Sequence, residues 1–174
     1  MDNPDELFDI VDENDIVIGQ ATRGEVHARG LLHRATSIFV FNSAGQLLLQ
    51  FRSETKDEFP SCWTSSASGH LDAGESYFEA AQRELFEELG LKTNLEYLTT
   101  LPAAPETANE HTALFRTFSE GEFQVNRSEI ASVEFFELDE IARRIQSQPD
   151  QFTPPFRELF AWYQHFLSSA NSTD

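Results

Sequence analysis

Three carboxylates in the stretch RELFEEL, Arg83 to Leu89, fall at Glu84, Glu87 and Glu88. At about 3.6 residues per turn, positions i, i+3 and i+4 share one helix face, so the three point the same way. Two carboxylates about 5 Å apart repel by roughly 3 kcal/mol at an effective dielectric near 20, and by less than about 1 kcal/mol at a wet surface. A solvated acidic face tolerates that repulsion. A divalent cation would exploit it: hard oxygen donors suit Mg2+ or Mn2+, and Mg2+ is commonly held by a few carboxylates together with substrate phosphates. On these seven residues alone both readings stand.

The elements around them narrow the choice. The longer stretch GHLDAGESYFEAAQRELFEELGL, Gly69 to Leu91, runs from a glycine-bearing loop into the helix, with Glu75 at its start, where a carboxylate suits the dipole. The periodicity predicts a helix over Ser76 to Leu89, with Phe78, Ala81, Leu85 and Leu89 as its core stripe and Gly90 as its C-cap. Upstream, LFDIVDENDIVIGQAT reads as a hairpin, RGEVHARGLLHR as a polar or irregular stretch, and ATSIFVFNSAGQLLLQFR as two strands joined at NSAG. WTSSASG reads as a strand ending at Gly69, and NLEYLTTL, HTALFRTF and SVEFFEL as further strands. DEIARRIQSQ reads as a helix stopped by Pro149, and TPPFRELFAWYQHFLSS as a last helix capped by Thr153. The 174 residues suit one domain with one core, expected over residues 1–170, with 171–174 as a disordered tail.

Charge and composition exclude several classes. Thirty acids against 12 bases give a net charge of −18, which repels nucleic acid polymers and anionic membranes. An anionic substrate would need a local positive centre. The single cysteine, Cys62, excludes an intrachain disulfide. MDNPDELFDI lacks the features of a signal peptide, and no apolar run approaches the ~18 residues that span a bilayer, so a cytoplasmic protein is expected.

The helix and its leading loop resemble the Nudix box, G-x5-E-x7-R-E-U-x-E-E-x-G-U, where U is a bulky aliphatic residue. Gly69, Glu75, Arg83, Glu84, Leu85, Glu87, Glu88, Gly90 and Leu91 match every specified position. The resemblance implies an α/β (α+β) fold, the Nudix α/β/α sandwich with a central mixed sheet. It implies a metal-dependent pyrophosphohydrolase that uses Mg2+ (or Mn2+) to cleave a diphosphate linkage in a small molecule, a nucleoside di- or triphosphate or related conjugate by default. Glu84, Glu87 and Glu88 match the metal-binding glutamates, and Gly69 the glycine whose carbonyl can join them. Glu75 and Arg83 match a pair that orients the helix. In such sites the metal acidifies a water, and a glutamate accepts its proton as it attacks phosphorus. Glu88 is the first candidate for that base or for a metal bridge, and the family also recruits bases from other loops, which keeps Glu110 and Glu129 open. Dimers are common in the family, so a homodimer is also open.

From about Phe8 to Leu91, and again in SVEFFEL into DEIARRI, the chain is similar to the Nudix subgroup that includes isopentenyl-diphosphate isomerase. That isomerase holds a metal with three histidines and two glutamates. His27, His33 and His70 match the histidines, His27 with a one-residue gap, and Glu110 matches one glutamate. The other glutamate falls at Ala108 and the catalytic cysteine at Ser68. The resemblance leaves two alternatives for the histidines: a second metal site suited to Zn2+ or Mn2+, or ordinary loop and core residues. Arg52 and Lys56 match a basic pair that grips the diphosphate; the plainer alternative is surface pairing with Asp57 and Glu58. A serine hydroxyl is a far weaker acid than a thiol, and the box is complete, so hydrolysis is the first reading. An isomerase and a non-catalytic nucleotide-binding module are the others, although such modules usually erode the box acids.

Overall fold

The computed structural model describes residues 3–170. Leu7–Val11 (β1) and Val17–Thr22 (β2) form an antiparallel hairpin, turned where Asp12 Oδ1 accepts the N–H groups of Asn14 and Ile16. The next residues, expected to be irregular, are a helix, Arg23–Arg29 (α1). Thr22 and Glu25 form a reciprocal capping box at its start, and Gly30 in the left-handed region ends it. Seven residues are too few to show a helical period, but the T-x-x-E signal was present in the sequence.

The main sheet contains His33–Phe41 (β3), Leu47–Arg52 (β4), Trp63–Thr64 (β5), Ala67–His70 (β6), Glu96–Leu101 (β7), Glu110–Phe118 (β8) and Ile130–Phe136 (β9). The strand expected over WTSSASG is therefore two short strands, separated by Ser65 and Ser66; the Ser66 hydroxyl donates to Leu48 O and accepts from the Val40 N–H. β3 pairs with β8 in parallel, and all other pairs are antiparallel, so the sheet is mixed. β3 and β4 meet only at Phe41 and Leu47. Beyond that point β3 pairs with β6, while β4 pairs with β5 and β9. The two halves of the sheet splay apart.

Helices cover both faces. Tyr77–Leu89 (α2) packs Ala81, Leu85 and Leu89 against Ile38, Val40, Leu48 and Phe115. Leu138–Ser147 (α3) and Pro154–Ala170 (α4) pack Ile141, Phe156 and Phe160 against Phe39, Phe41, Leu49 and Leu114 on the other face. This is the expected α/β/α sandwich. Phe78, expected in the α2 core stripe, is 45% exposed, and Ala80 is buried instead. One edge of the Phe78 ring leans on Phe115, with centroids 6.2 Å apart. Gly90 caps α2 at φ 70, where a Cβ would press on Gln124. Thr153 caps α4 through its hydroxyl, which accepts the Phe156 N–H. Among the described residues no helix is long and apolar enough to cross a membrane. The tail expected to be disordered lies outside the described residues.

Strand alternation decides which residues share a face. Ile38 and Val40 face α2, so Thr36 does too, and its partner Gly69 faces the same way. Phe39 and Phe41 face α4, and with them His33, Ala35 and Ser37, together with their partners Glu110, Thr112, Ser68 and His70.

Candidate active site

On the α2 face, Ser76 and Glu79 form a capping box that fixes where the helix starts. Arg83 then gathers the acids. Its Nε and Nη2 donate to the two oxygens of Glu75 at 3.0 and 2.8 Å, Nη1 donates to Glu84 at 2.6 Å and to Glu87 at 3.4 Å, and Nη2 also reaches His70 O at 3.0 Å. The bond to Glu75 makes this guanidinium even harder to deprotonate. Glu84 lies against Gly69, where any Cβ would collide with its carboxylate. Glu88 is buried, and its Oε2 accepts from Gln50 Nε2 and from the Ser68 N–H, both at 2.9 Å. Burial pushes Glu88 up to about 7, against the lowering effect of the Ser68 bond. Burial and the neighbouring charge of Glu88 push Glu84 well above the carboxylate range.

On the α4 face, three imidazoles converge. Ligand atoms of His27, His33 and His70 lie within 4.8 Å of one another, as do those of Glu58, His70 and Glu110. The three box glutamates do not form such a group; the Glu87 side chain is 53% exposed. His33 Nδ1 is 2.9 Å from Leu31 O, and a carbonyl only accepts, so Nδ1 carries the proton. Its Nε2 is buried without a hydrogen-bond partner among the described residues and sits 3.5 Å from Glu110 Oε1. A buried ring nitrogen with no hydrogen bond thus sits beside a carboxylate, an arrangement that a cation between them would complete. His70 donates from Nε2 to Glu110 Oε1 at 2.8 Å, while Arg23 Nη1 lies 3.1 Å from its Nδ1. Burial would raise Glu110, but the bonds and charges of His33 and His70 outweigh it and hold this carboxyl below the usual range. Burial lowers His27.

Both faces open on one cleft of about 280 Å3, lined by Glu84, Glu87, Gly69, His70 and Glu110 among others. Arg52, Lys56 and Glu129 also line it. Lys56 Nζ pairs with Glu129 at 3.0 Å, and Arg52 donates from Nε and Nη2 to Glu58 O. Asn126 donates to the other Glu129 oxygen at 2.9 Å. Sequence reasoning missed Gln50 and Glu58. Gln50 was visible as the one polar residue inside LLLQF. Glu58 gave no signal, because only the tertiary path of its loop brings it to the histidines. Also missed were the hydroxyls of Ser37, Thr64, Ser65, Thr112 and Thr153 that line the cleft.

Comparison with known proteins agrees with this architecture. A family model described as NUDIX domain matches residues 31–163. An isopentenyl-diphosphate Delta-isomerase of Pectobacterium atrosepticum is 37% identical over 168 residues, covering 91% of this chain and 94% of that protein. An uncharacterized Nudix hydrolase of Yersinia pestis is 37% identical over 166 residues, covering 90% and 85%. The crystal structure of DR0079 from Deinococcus radiodurans superposes with a TM-score of 0.81 at 28% identity, over 90% of this chain and 98% of that one. With the box running from Gly69 at the end of β6 through α2 to Leu91, and the family model spanning residues 31–163, the chain belongs to the NUDIX domain family.

Proposed function

We propose that this protein is a metal-dependent hydrolase of diphosphate linkages, acting by attack of water on phosphorus, with nucleoside di- or triphosphates and related conjugates as its substrate class. The observation that carries this reading is the seating of Glu84 and Glu88 on α2: Glu84 lies against Gly69 in the cleft wall and Glu88 is buried beside it. Two carboxylates with raised affinity for protons in a dry setting are a site in need of positive charge, and oxygen donors of this kind fit Mg2+ or Mn2+. When bound, such an ion neutralises phosphoryl oxygens and acidifies a water.

The chain's own residues do the rest. Arg83 and Glu75 keep Glu84 aimed at Gly69, whose carbonyl is a candidate donor. Gln50 and the Ser68 N–H occupy one oxygen of Glu88, which leaves the other for a cation or a proton. A group near 7 exchanges a proton readily at neutral pH, which suits Glu88 as base or bridge, with Glu87 exposed beside it. Glu110 and Glu129 remain alternative bases, though each already holds a cationic or imidazole partner. Arg52 and Lys56 in the cleft wall would give an anionic substrate a positive centre on a chain of net charge −18. His27, His33, His70 and Glu110 are proposed to hold a second divalent ion, since their ligand atoms converge and the buried Nε2 of His33 has no hydrogen-bond partner among the described residues.

A second reading, an isopentenyl-diphosphate isomerase, draws support from the histidine cluster and the name of the Pectobacterium relative. Ser68 weighs against it, because a serine hydroxyl is a far weaker acid than the thiol that reading needs; the cleft wall itself is mixed, with Phe59, Phe156 and Leu159 beside the hydroxyls. A panel of nucleotides, diphosphate conjugates and isopentenyl diphosphate, incubated with Mg2+ or Mn2+ and read by product identification, decides between them. Hydrolysis products are expected; conversion of isopentenyl diphosphate to its dimethylallyl isomer without phosphate release would overturn the proposal.

A further inference from the structure

Just before Glu110, Ala108 sits at φ 56 and lines the cleft with only a methyl group. A different loop reaches the same space. Arg52, at the end of β4, donates from Nε and Nη2 to the carbonyl of Glu58 at 3.2 and 2.9 Å. Immediately afterwards Phe59 and Ser61 take left-handed backbone angles, φ 47 and 57, which side chains other than glycine rarely adopt. The clamp and the bend direct Glu58 inward. Its Oε1 lies 3.5 Å from His27 Nδ1, and one of its oxygens lies within 4.8 Å of ligand atoms of His70 and Glu110.

We infer that Glu58 is a ligand of the histidine face, completing a site of three imidazole nitrogens and two carboxylates for a divalent transition ion. The inference rests on the proposal that this face holds an ion at all. What supports it beyond acidity is the buried Nε2 of His33, which has no hydrogen-bond partner among the described residues while Nδ1 is held by Leu31 O. A metal-bound histidine typically gives its other N–H to a carbonyl or carboxylate, as His33 does here. Imidazole with carboxylate suits Zn2+ and Mn2+, whereas the oxygen-only α2 face suits Mg2+. The two faces can therefore be titrated separately.

The test is Zn2+ binding to the metal-stripped full chain in excess Mg2+, followed by calorimetry and by bound-metal content after dialysis. Wild type, Glu58→Gln, Glu58→Asp, Asp57→Asn, His27→Gln and His70→Gln are compared, each checked for folding by its metal-free melting curve. Glu58→Gln is expected to weaken Zn2+ binding on the order of 10–100-fold. Glu58→Asp, which keeps the charge but withdraws the oxygens, should also weaken it, and Asp57→Asn should not. If Glu58→Asp binds like wild type, Glu58 acts only through its charge and the inference is overturned. If both histidine variants weaken binding and Glu58→Gln does not, Glu58 is not a ligand although the histidine face stands. If neither histidine variant changes affinity, the second metal site itself fails.

Discussion

Glu88 on α2 and Glu110 on β8 are both buried carboxylates, one on the α2 side of the sheet and the other on the α4 side. They titrate in opposite directions. Burial lifts Glu88 to about 7, because its donors are the neutral amide of Gln50 and the Ser68 N–H. Burial acts on Glu110 too, but imidazoles answer it, and the group stays ionised. Desolvation is common to both faces; the charge available to the donors sets the sign. One face therefore surrounds its carboxylate with neutral donors, while the other surrounds it with imidazoles.

The comparison can be broken most sharply at Glu88. Glu88→Gln should lower diphosphate hydrolysis by about 10²–10⁴-fold, the usual worth of a positioned acid–base group. Unchanged turnover would move the chemistry off the α2 face. Next comes pH. Between the ordinary value of 4.5 and about 7, native Glu88 holds a proton that the unfolded chain has lost. Stability of the metal-free protein should therefore fall as pH rises through that window, on the order of 3 kcal/mol. Glu110, being lowered, works the other way: its contribution is present above 4.5 and disappears as pH falls below it. Melting temperatures from pH 2 to 8 should flatten between 4.5 and about 7 in Glu88→Gln and between 4.5 and about 2 in Glu110→Gln. A slope that survives both variants would sink the contrast.

Smaller effects sharpen it. Gly69→Ala forces a methyl group into the Glu84 carboxylate and should cost about 1–3 kcal/mol while weakening Mg2+ binding. Zn2+ binding on the other face should be retained, and equal loss of both ions would show that the faces are not separate. The smallest change is Ser76→Ala, which removes half of the α2 capping box and should lower stability by about 1 kcal/mol with little effect on the histidine face.

The α2 face was legible in the sequence because its groups lie within one loop and one helix, where spacing is geometry. Gly69, Glu75, Arg83 and Glu84 meet much as their numbers suggest. The sandwich was also legible, through alternating strands and the apolar stripe of α2. The α4 face was harder: His27, His33, His70 and Glu110 come from four separate elements, and only family resemblance connected them. Glu58 could not be read at all, since its position depends on the Arg52 clamp and two left-handed residues. α1 escaped because it is only about two turns long, and Phe78 misled because a single aromatic on a short stripe can lie at its border.

Ser68 and Gly69 are chain neighbours that look to opposite sides of the sheet. In heredity that makes them separable. A single codon change at residue 68 can alter the reactivity facing His70 and Glu110 while residue 69 still seats Glu84. A one-residue insertion in β6 has no such freedom, because it would turn every following side chain over and forfeit both sites together. The lineage of this chain could thus explore new chemistry on one side at little risk to the other, provided it did so by substitution.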